Sequence, residues 1–339
     1  MQISTANFYN RATNQMSRLN ADLNRLNTEL STQKHLKVAS QDSASWMMLG
    51  GIKKEEADSN AFRSNITLSR GLLAQADTAL GNVDERLVRV RELTVRAGTD
   101  TLNAQDKVAI ANELDQIREG LLAIANSRDV RNHPVFGGTG DVAFTKDDTT
   151  GAITYTGNAS VANVRIGEAS QMQVGIDGSR VFSGANGGVD IFALIDDLKT
   201  AMEMPTEAPV VDPAVPVDPD APAVDPDAPA VDPDAAPFDV DAARKAYTTK
   251  INTALGKLDT AEAQVTSARA ANGARAARLE IESSQLENIG IDREEARSAL
   301  EDTDISTTMV EFQKTLTILN ATQASISKLA GMSLFNYLK

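Results

Sequence analysis

Apolar residues recur at alternating steps of three and four residues through most of this 339-residue chain, and this spacing constrains the fold more than any other feature. Each such stripe covers one face of an α-helix, as in a coiled coil. The stripes run over residues 9–30, 62–90, 110–124, 254–268 and 309–330. Because all five share one spacing, we predict a mainly α fold with long helices in a coiled-coil-like bundle.

The spacing changes to a period of two between Val135 and Gly188, which is typical of strands. Residues 171–176 alternate between polar and apolar side chains, and turn-forming segments rich in Gly, Asp and Asn separate the short runs. We therefore predict a small inserted antiparallel β domain at residues 135–190. A helical pattern returns over residues 191–204.

A proline- and aspartate-rich tract follows that helix. Ten of the eleven prolines lie between Pro205 and Pro237, together with seven Asp, Glu207 and no basic residue. These eight acidic residues supply more than half of the net charge of −14. Such a segment cannot bury enough apolar surface to fold, so we predict an extended linker over residues 205–240. The alternative is a weak calcium or sugar site, which we favour less because proline holds the carboxylates apart.

The residue types that most often carry catalysis or bind metals are scarce. The chain has no Cys, and its only histidines are His35 and His133. Disulfides, thiolate sites and cysteine nucleophiles are therefore excluded, and His-based chemistry nearly so. We predict no enzymatic activity, no catalytic residue, no cofactor and no metal site.

The same composition argues against two classes of partner. An acidic chain is poorly suited to bind a polyanion, so we predict no nucleic-acid partner. No stretch approaches the roughly 20 apolar residues of a membrane span, so we predict no membrane partner either. The start of the chain has no Lys or Arg before Arg11 and no apolar run like that of a signal peptide.

Both terminal stripes are set among Asn, Ser and Thr, which are poor to middling helix formers. An isolated helix is marginal in water even with good helix formers. Two interpretations stay open. The two ends pair with each other within one chain, or they become ordered only when they meet other subunits.

Short segments near both ends carry a resemblance to a known family. They are Ile3-Ser-Thr5, Leu30-Ser-Thr32 and Leu87–Val95 near the start, and Gly273-Ala-Arg275, Leu300–Asp304 and Ser333–Leu338 near the end. In this order and placement they resemble the terminal regions of the bacterial flagellin superfamily. The final Leu334–Leu338 is most similar to the branch of flagellar hook-associated proteins on the filament side of the hook–filament junction.

The chain departs from the family pattern at the expected turn between the first two helices. The family commonly has Ser-Thr-Gly where this chain has Ser31-Thr-Gln33, and Ser-Asp-Asp-Pro where it has Ser40-Gln-Asp-Ser43. These changes leave the details of the turn open. Ser40 or Asp42 can still cap the following helix.

The resemblance implies a structural protein of the bacterial flagellum, located outside the cell and exported by the flagellar type III apparatus without a cleaved signal peptide. The implied partners are further copies in a ring, the hook-side junction protein, flagellin and a cytoplasmic export chaperone. The terminal helices would form the assembly surface. The residues expected there are Ile3, Tyr9, Met16, Leu19, Leu23, Leu26, Leu30, Met309, Phe312, Leu316, Leu319, Ile326, Leu334, Phe335 and Leu338.

The expected domain order combines the patterns with the resemblance. It is an axial helix over residues 1–42, rod helices over 43–134, an outer β domain over 135–190, a short helix over 191–204, the linker over 205–240, rod helices over 241–299 and a second axial helix over 300–339. We expect both axial helices to be disordered in the monomer.

Three alternative functions make different demands on the sequence. A filament flagellin, or a flagellin-like surface protein, would polymerise alone into long fibres. A flagellin carrying a metallopeptidase would need a His-Glu-x-x-His helix, and neither His35 nor His133 lies in one. An adhesin would act through the acidic tract.

Overall fold

A computed structural model of the protein describes residues 2–99, 102–158, 160, 162–185, 187–206 and 239–337. The helices are α1 (Gln2–Thr32), α2 (Ser43–Ala97), α3 (Ala104–Ala125), α4 (Gly178–Phe182), α5 (Ile191–Met202), α6 (Val240–Glu301) and α7 (Ile305–Tyr337). The strands are β1 (Phe144–Lys146), β2 (Ile153–Tyr155), β3 (Asn163–Arg165) and β4 (Gln171–Gln173). Most of the predicted linker, residues 207–238, lies outside the described residues.

The chain divides into two compact units, and the boundaries between them fall inside α2 and α6. The first unit comprises Met1–Ala61 and Ser284–Lys339, and the second comprises Phe62–Ser283. Long helices and a small antiparallel strand region confirm the predicted fold class. No helix in the described part of the chain is long and apolar enough to cross a membrane.

Helices α2, α3, α5 and α6 form most of the core of the second unit, and α4 and the strand region add to it. Its fully buried residues follow the three-four spacing of the sequence, and they include Leu80, Val83, Leu87 and Val90 of α2, Leu121 of α3, Ile195 of α5, and Leu258 and Val265 of α6. Among α2, α3, α5 and α6, the short helix α5 is the most completely covered, with seven buried residues among its twelve. This core is closed within one copy of the chain.

The start of α3 shows how local sequence fixes a helix end. The side chain of Asn103 accepts a hydrogen bond from the backbone N–H of Asp106 at 2.8 Å, and the Asp106 carboxylate accepts one from the Asn103 N–H. This reciprocal capping satisfies two backbone donors that the helix leaves unpaired. Asparagine is a favoured N-cap residue, so the sequence alone predicts that α3 begins after Asn103, and the structure confirms this N-cap.

The strand region is smaller than the period-two pattern indicates. It consists of two separate two-stranded antiparallel sheets, β1 with β2 and β3 with β4, and each strand has only three residues. The segment Gly178–Phe182, which we placed in the β domain, is instead the helix α4. The physical reason is Asp177, whose side chain accepts a hydrogen bond from Ser179 N and caps a helical turn where we expected a simple turn.

Aromatic side chains join the strand region to α4 and α5. The ring of Phe182 lies 5.2 Å from that of Phe136, 5.3 Å from Phe144 and 5.9 Å from Phe192, measured between centroids. All four side chains are almost completely buried. Edge-on and stacked contacts at these distances add to the free energy of burial. The cluster therefore supplies much of the local stability that strands of three residues cannot provide.

Replacing Phe182 by Ala should lower the free energy of unfolding of the second unit by about 3–5 kcal/mol, because it leaves a cavity among three rings. Urea unfolding followed by far-UV circular dichroism measures this change. The matched control is Val130→Ala, since Val130 is 84% exposed and its truncation should cost less than about 0.5 kcal/mol. Equal effects for the two variants would contradict the role given to the cluster.

Candidate assembly surface

The first unit brings the two ends of the chain together, because α1 contacts α7. We call these two helices the terminal pair, and the line of contact between them the seam. Leu26 is buried, and the other apolar stripe residues of α1 are half-buried. They are Tyr9, Ala12, Met16, Leu19, Leu23 and Leu30. The stripe predicted for α1 is thus the face that lies along the seam.

The face that α7 turns toward the seam coincides only in part with its apolar stripe. Its less exposed residues are Thr308, Phe312, Thr315, Leu319, Thr322 and Ile326. Phe312, Leu319 and Ile326 belong to the predicted stripe, but Met309 and Leu316 remain 43% and 41% exposed. Each follows a seam threonine by one position, which rotates it by about 100° around the helix. The threonines therefore lie in the seam, and the larger apolar residues lie beside it.

Four of the expected assembly residues cannot be placed. The side chains of Ile3, Leu334 and Phe335, and the whole of Leu338, lie outside the described part of the chain. The interface role of the full set stays a prediction. For the others, the structure separates seam residues from exposed ones.

Exposed apolar side chains accompany the seam on α7. Ile305 is 48% exposed, Ile318 is 40% exposed and Val310 is 65% exposed. On one flank of the seam, a cavity of about 440 Å³ opens between the two helices, lined by Arg11, Ala12 and Gln15 of α1 and by Ile318, Ala321, Thr322, Ser325 and Ile326 of α7. The terminal pair therefore offers apolar surface beyond what it buries in its own seam.

The turns that lead into the terminal pair are bonded to each other. The backbone N–H of His35 donates to the carbonyl of Glu301 at 2.9 Å, and that of Thr303 donates to the carbonyl of Gln33 at 2.9 Å. Lys34 Nζ lies 2.8 Å from Glu301 Oε1, whose side chain is only 7% exposed. A buried carboxylate needs such a partner. Sequence reasoning missed this link, because backbone hydrogen bonds between distant turns have no residue signature.

Two aspartates cap the helices that leave these turns. The Asp42 carboxylate accepts hydrogen bonds from Ser45 Oγ and from the N–H of Ala44 at the start of α2, and Asp304 does the same with Thr307 Oγ1 and Ser306 N at the start of α7. These bonds stabilise the charged form and hold the pKa of each carboxyl below its ordinary value. Of the two caps considered for α2, Asp42 is the one that forms.

Gln33 explains one departure from the family pattern. It ends α1 with a φ of +59°, a left-handed conformation that favours glycine. Glycine, which the resemblance leads us to expect at this place, would adopt this conformation without strain. The substitution leaves strain at the turn, which the bonds to Thr303 and Glu301 oppose.

Comparison with known proteins agrees with this arrangement of the two ends. Residues 3–141 match the family model described as the bacterial flagellin N-terminal helical region, and residues 255–338 match the one described as the bacterial flagellin C-terminal helical region. Flagellar hook-associated protein 3 of Salmonella typhimurium is 23% identical over 218 residues, which cover 61% of this chain and 68% of that protein. The chain belongs to the flagellin superfamily, and it is of the hook-associated (FlgL) type.

Solved structures of flagellin-superfamily members have the same fold. FlgL of Xanthomonas campestris aligns with a TM-score of 0.57 at 17% identity, covering 73% of this chain and 99% of that structure. The flagellar junction protein FlgL of Legionella pneumophila aligns with a TM-score of 0.55 at 14% identity, covering 76% of this chain and all of that structure. At these identities the likeness concerns the fold alone.

Replacing Gln33 by Gly should favour the state in which the hydrogen bonds between the two turns are formed. The ratio of this state to the state in which they are broken should rise about fivefold, since removing the strain of the left-handed residue is worth about 1 kcal/mol. Hydrogen exchange at the His35 and Thr303 amides, which bond across the turns, measures this ratio. The matched control is Gln313→Gly inside α7, which should weaken its helix by about 1 kcal/mol. Faster exchange at the turns in the Gln33→Gly variant would contradict the account of the turn.

Proposed function

We propose that this chain is a structural protein of the bacterial flagellum that forms part of the junction between hook and filament. The observation that carries the proposal is the terminal pair, in which the two flagellin-like ends of the chain lie side by side and leave apolar surface exposed. Such a surface on a flagellar protein is suited to packing against neighbouring subunits. The role is structural, and no catalytic step is part of it.

The partners follow from this role. Copies of the chain form a ring through their terminal helices, with the hook-side junction protein on one side and flagellin on the other. The site of action is outside the cell, on the flagellum. Export proceeds through the flagellar type III apparatus without a cleaved signal peptide, and a cytoplasmic chaperone shields the C-terminal segment beforehand.

The terminal pair becomes fully ordered only in the assembly. Among the described side chains of α1 and α7, the buried apolar residues are Leu26 and Leu319. A buried leucine contributes about 1.5–3 kcal/mol, whereas fixing the backbone costs about 1–2 kcal/mol per residue. Two such leucines are few for helices of 31 and 33 residues. Neighbouring copies supply the missing contacts by covering exposed residues such as Met309 and Leu316.

Deletion of the gene in the bacterium that encodes the chain tests this function. We expect hooks to form normally and flagellin to be lost to the medium, since no junction retains it. Electron microscopy of the cells and flagellin blots of the medium provide the two readouts. Normal filaments on the deletion strain would contradict the junction role. Long fibres formed by the purified chain alone would favour a filament flagellin.

A matched pair of variants tests whether filament formation depends on the seam. Leu319→Asp should fail to restore filaments, because an unpaired carboxylate in the seam costs several kcal/mol. Asn320→Asp adds the same charge one residue further on, at an exposed position, and should restore them. Swimming in soft agar and secreted amounts of each variant are the measurements. Equal rescue by both variants would show that the seam is not required.

A further inference from the structure

The two flanks of the seam differ in shape: one carries protruding apolar side chains, and the other carries a cavity of complementary form. One flank of α7 carries protruding apolar side chains at Ile305, Met309 and Leu316, which are between 41% and 48% exposed. Their spacing of four and seven residues keeps them within a sector of about 40° on the helix. We call this set the ridge.

The opposite flank carries the cavity of about 440 Å³ described above, which we call the groove. Its walls include the small side chains of Ala12, Ala321 and Ser325. Ile318, in the same wall, is 40% exposed. Ile318 follows Leu316 by two residues, which places the two side chains about 160° apart around α7. The ridge and the groove therefore lie on opposite sides of one helix pair.

The ridge carries no charge, and one charged residue lines the groove. The charged residues of α7 are Glu311, Lys314 and Lys328; none of them falls in the sector of the ridge, and all three lie on the side of the groove without lining it. The groove has one charged lining residue, Arg11, whose long side chain can keep its guanidinium in water while its stem covers apolar surface. Packing the ridge into such a groove would leave no unpaired charge buried.

We propose that the ridge of one copy packs into the groove of the next copy, so that the ring is built from a head-to-tail contact between terminal pairs. This inference rests on the proposed function and names the contact that builds the assembly. Two different, complementary surfaces on opposite sides of one element generate a closed ring or a helical array, whereas one self-complementary surface stops at a dimer. Three ridge residues bury little area per contact, so the contact is stable only when repeated around the ring.

Cysteine cross-linking tests the contact without disulfides from native thiols, because the chain has no Cys. Leu316→Cys places a thiol on the ridge, and Ala321→Cys places one in the groove. We expect a 1:1 mixture of the two variants, assembled and mildly oxidised, to give disulfide-linked dimers at least tenfold more efficiently than either variant alone. Thr317→Cys mixed with Ala321→Cys is the control, since Thr317 is exposed, follows the ridge residue Leu316 by one position and so lies about 100° from it, and does not line the groove.

Sedimentation of the same samples measures assembly, and it distinguishes failure of the ridge-in-groove contact from failure of the proposed junction function. Assembly without the mixed cross-link, or equally efficient cross-linking of Leu316→Cys with itself, would overturn the ridge-in-groove contact and leave the junction function standing. Failure of the wild-type chain to assemble under any condition that supports junction formation would contradict both.

A second pair of variants tests the contact between ridge and groove without cross-linking. Ala321→Phe fills the groove and should raise the concentration needed for assembly at least tenfold. Ala324→Phe adds the same ring at an exposed position that does not line the groove, and it should leave that concentration unchanged. Equal behaviour of the two variants would overturn the proposal.

Discussion

The seam between α1 and α7 is the contact on which the terminal part of this protein depends, and it is thin. Leu26 and Leu319 are buried there, while threonines occupy positions 308, 315 and 322 of the facing helix. A seam of this composition holds two long helices together weakly. The apolar residues that would strengthen it, Met309 and Leu316, lie beside the seam and remain available to neighbours.

The second unit has the opposite character. Its helices α2, α3, α5 and α6 close a continuous core within one copy, and the ring of Phe182 packs among three others. Because this core buries its apolar residues within one copy, we expect the unit to be stable before assembly. The two units therefore differ in where their apolar residues lie. The second unit buries them within the chain, and the first leaves part of them exposed for contacts between copies.

Much of the fold could be predicted from the sequence, and the failures have physical reasons. The stripes predicted the long helices, and Asn103 predicted the start of α3, because both signals are local. Which residues of α7 face α1 could not be predicted, since periodicity ranks residues by hydrophobicity, whereas the geometry of the pair places Thr308 and Thr315 inside and Met309 and Leu316 beside the seam. The helix α4 depends on a single cap at Asp177, and the link between the turns depends on backbone bonds that no residue type encodes.

Limited trypsin digestion of the lone subunit and of the assembled protein tests the central claim most directly. Trypsin does not cut the acidic tract, because that tract has no Lys or Arg, so early cuts report on the helices. We expect rapid cleavage of the lone subunit at Arg11, Arg18 and Lys314, slow cleavage in the second unit, and protection of the terminal sites after assembly. Terminal sites that resist trypsin equally in the lone subunit would contradict the claim that neighbouring copies complete the terminal pair.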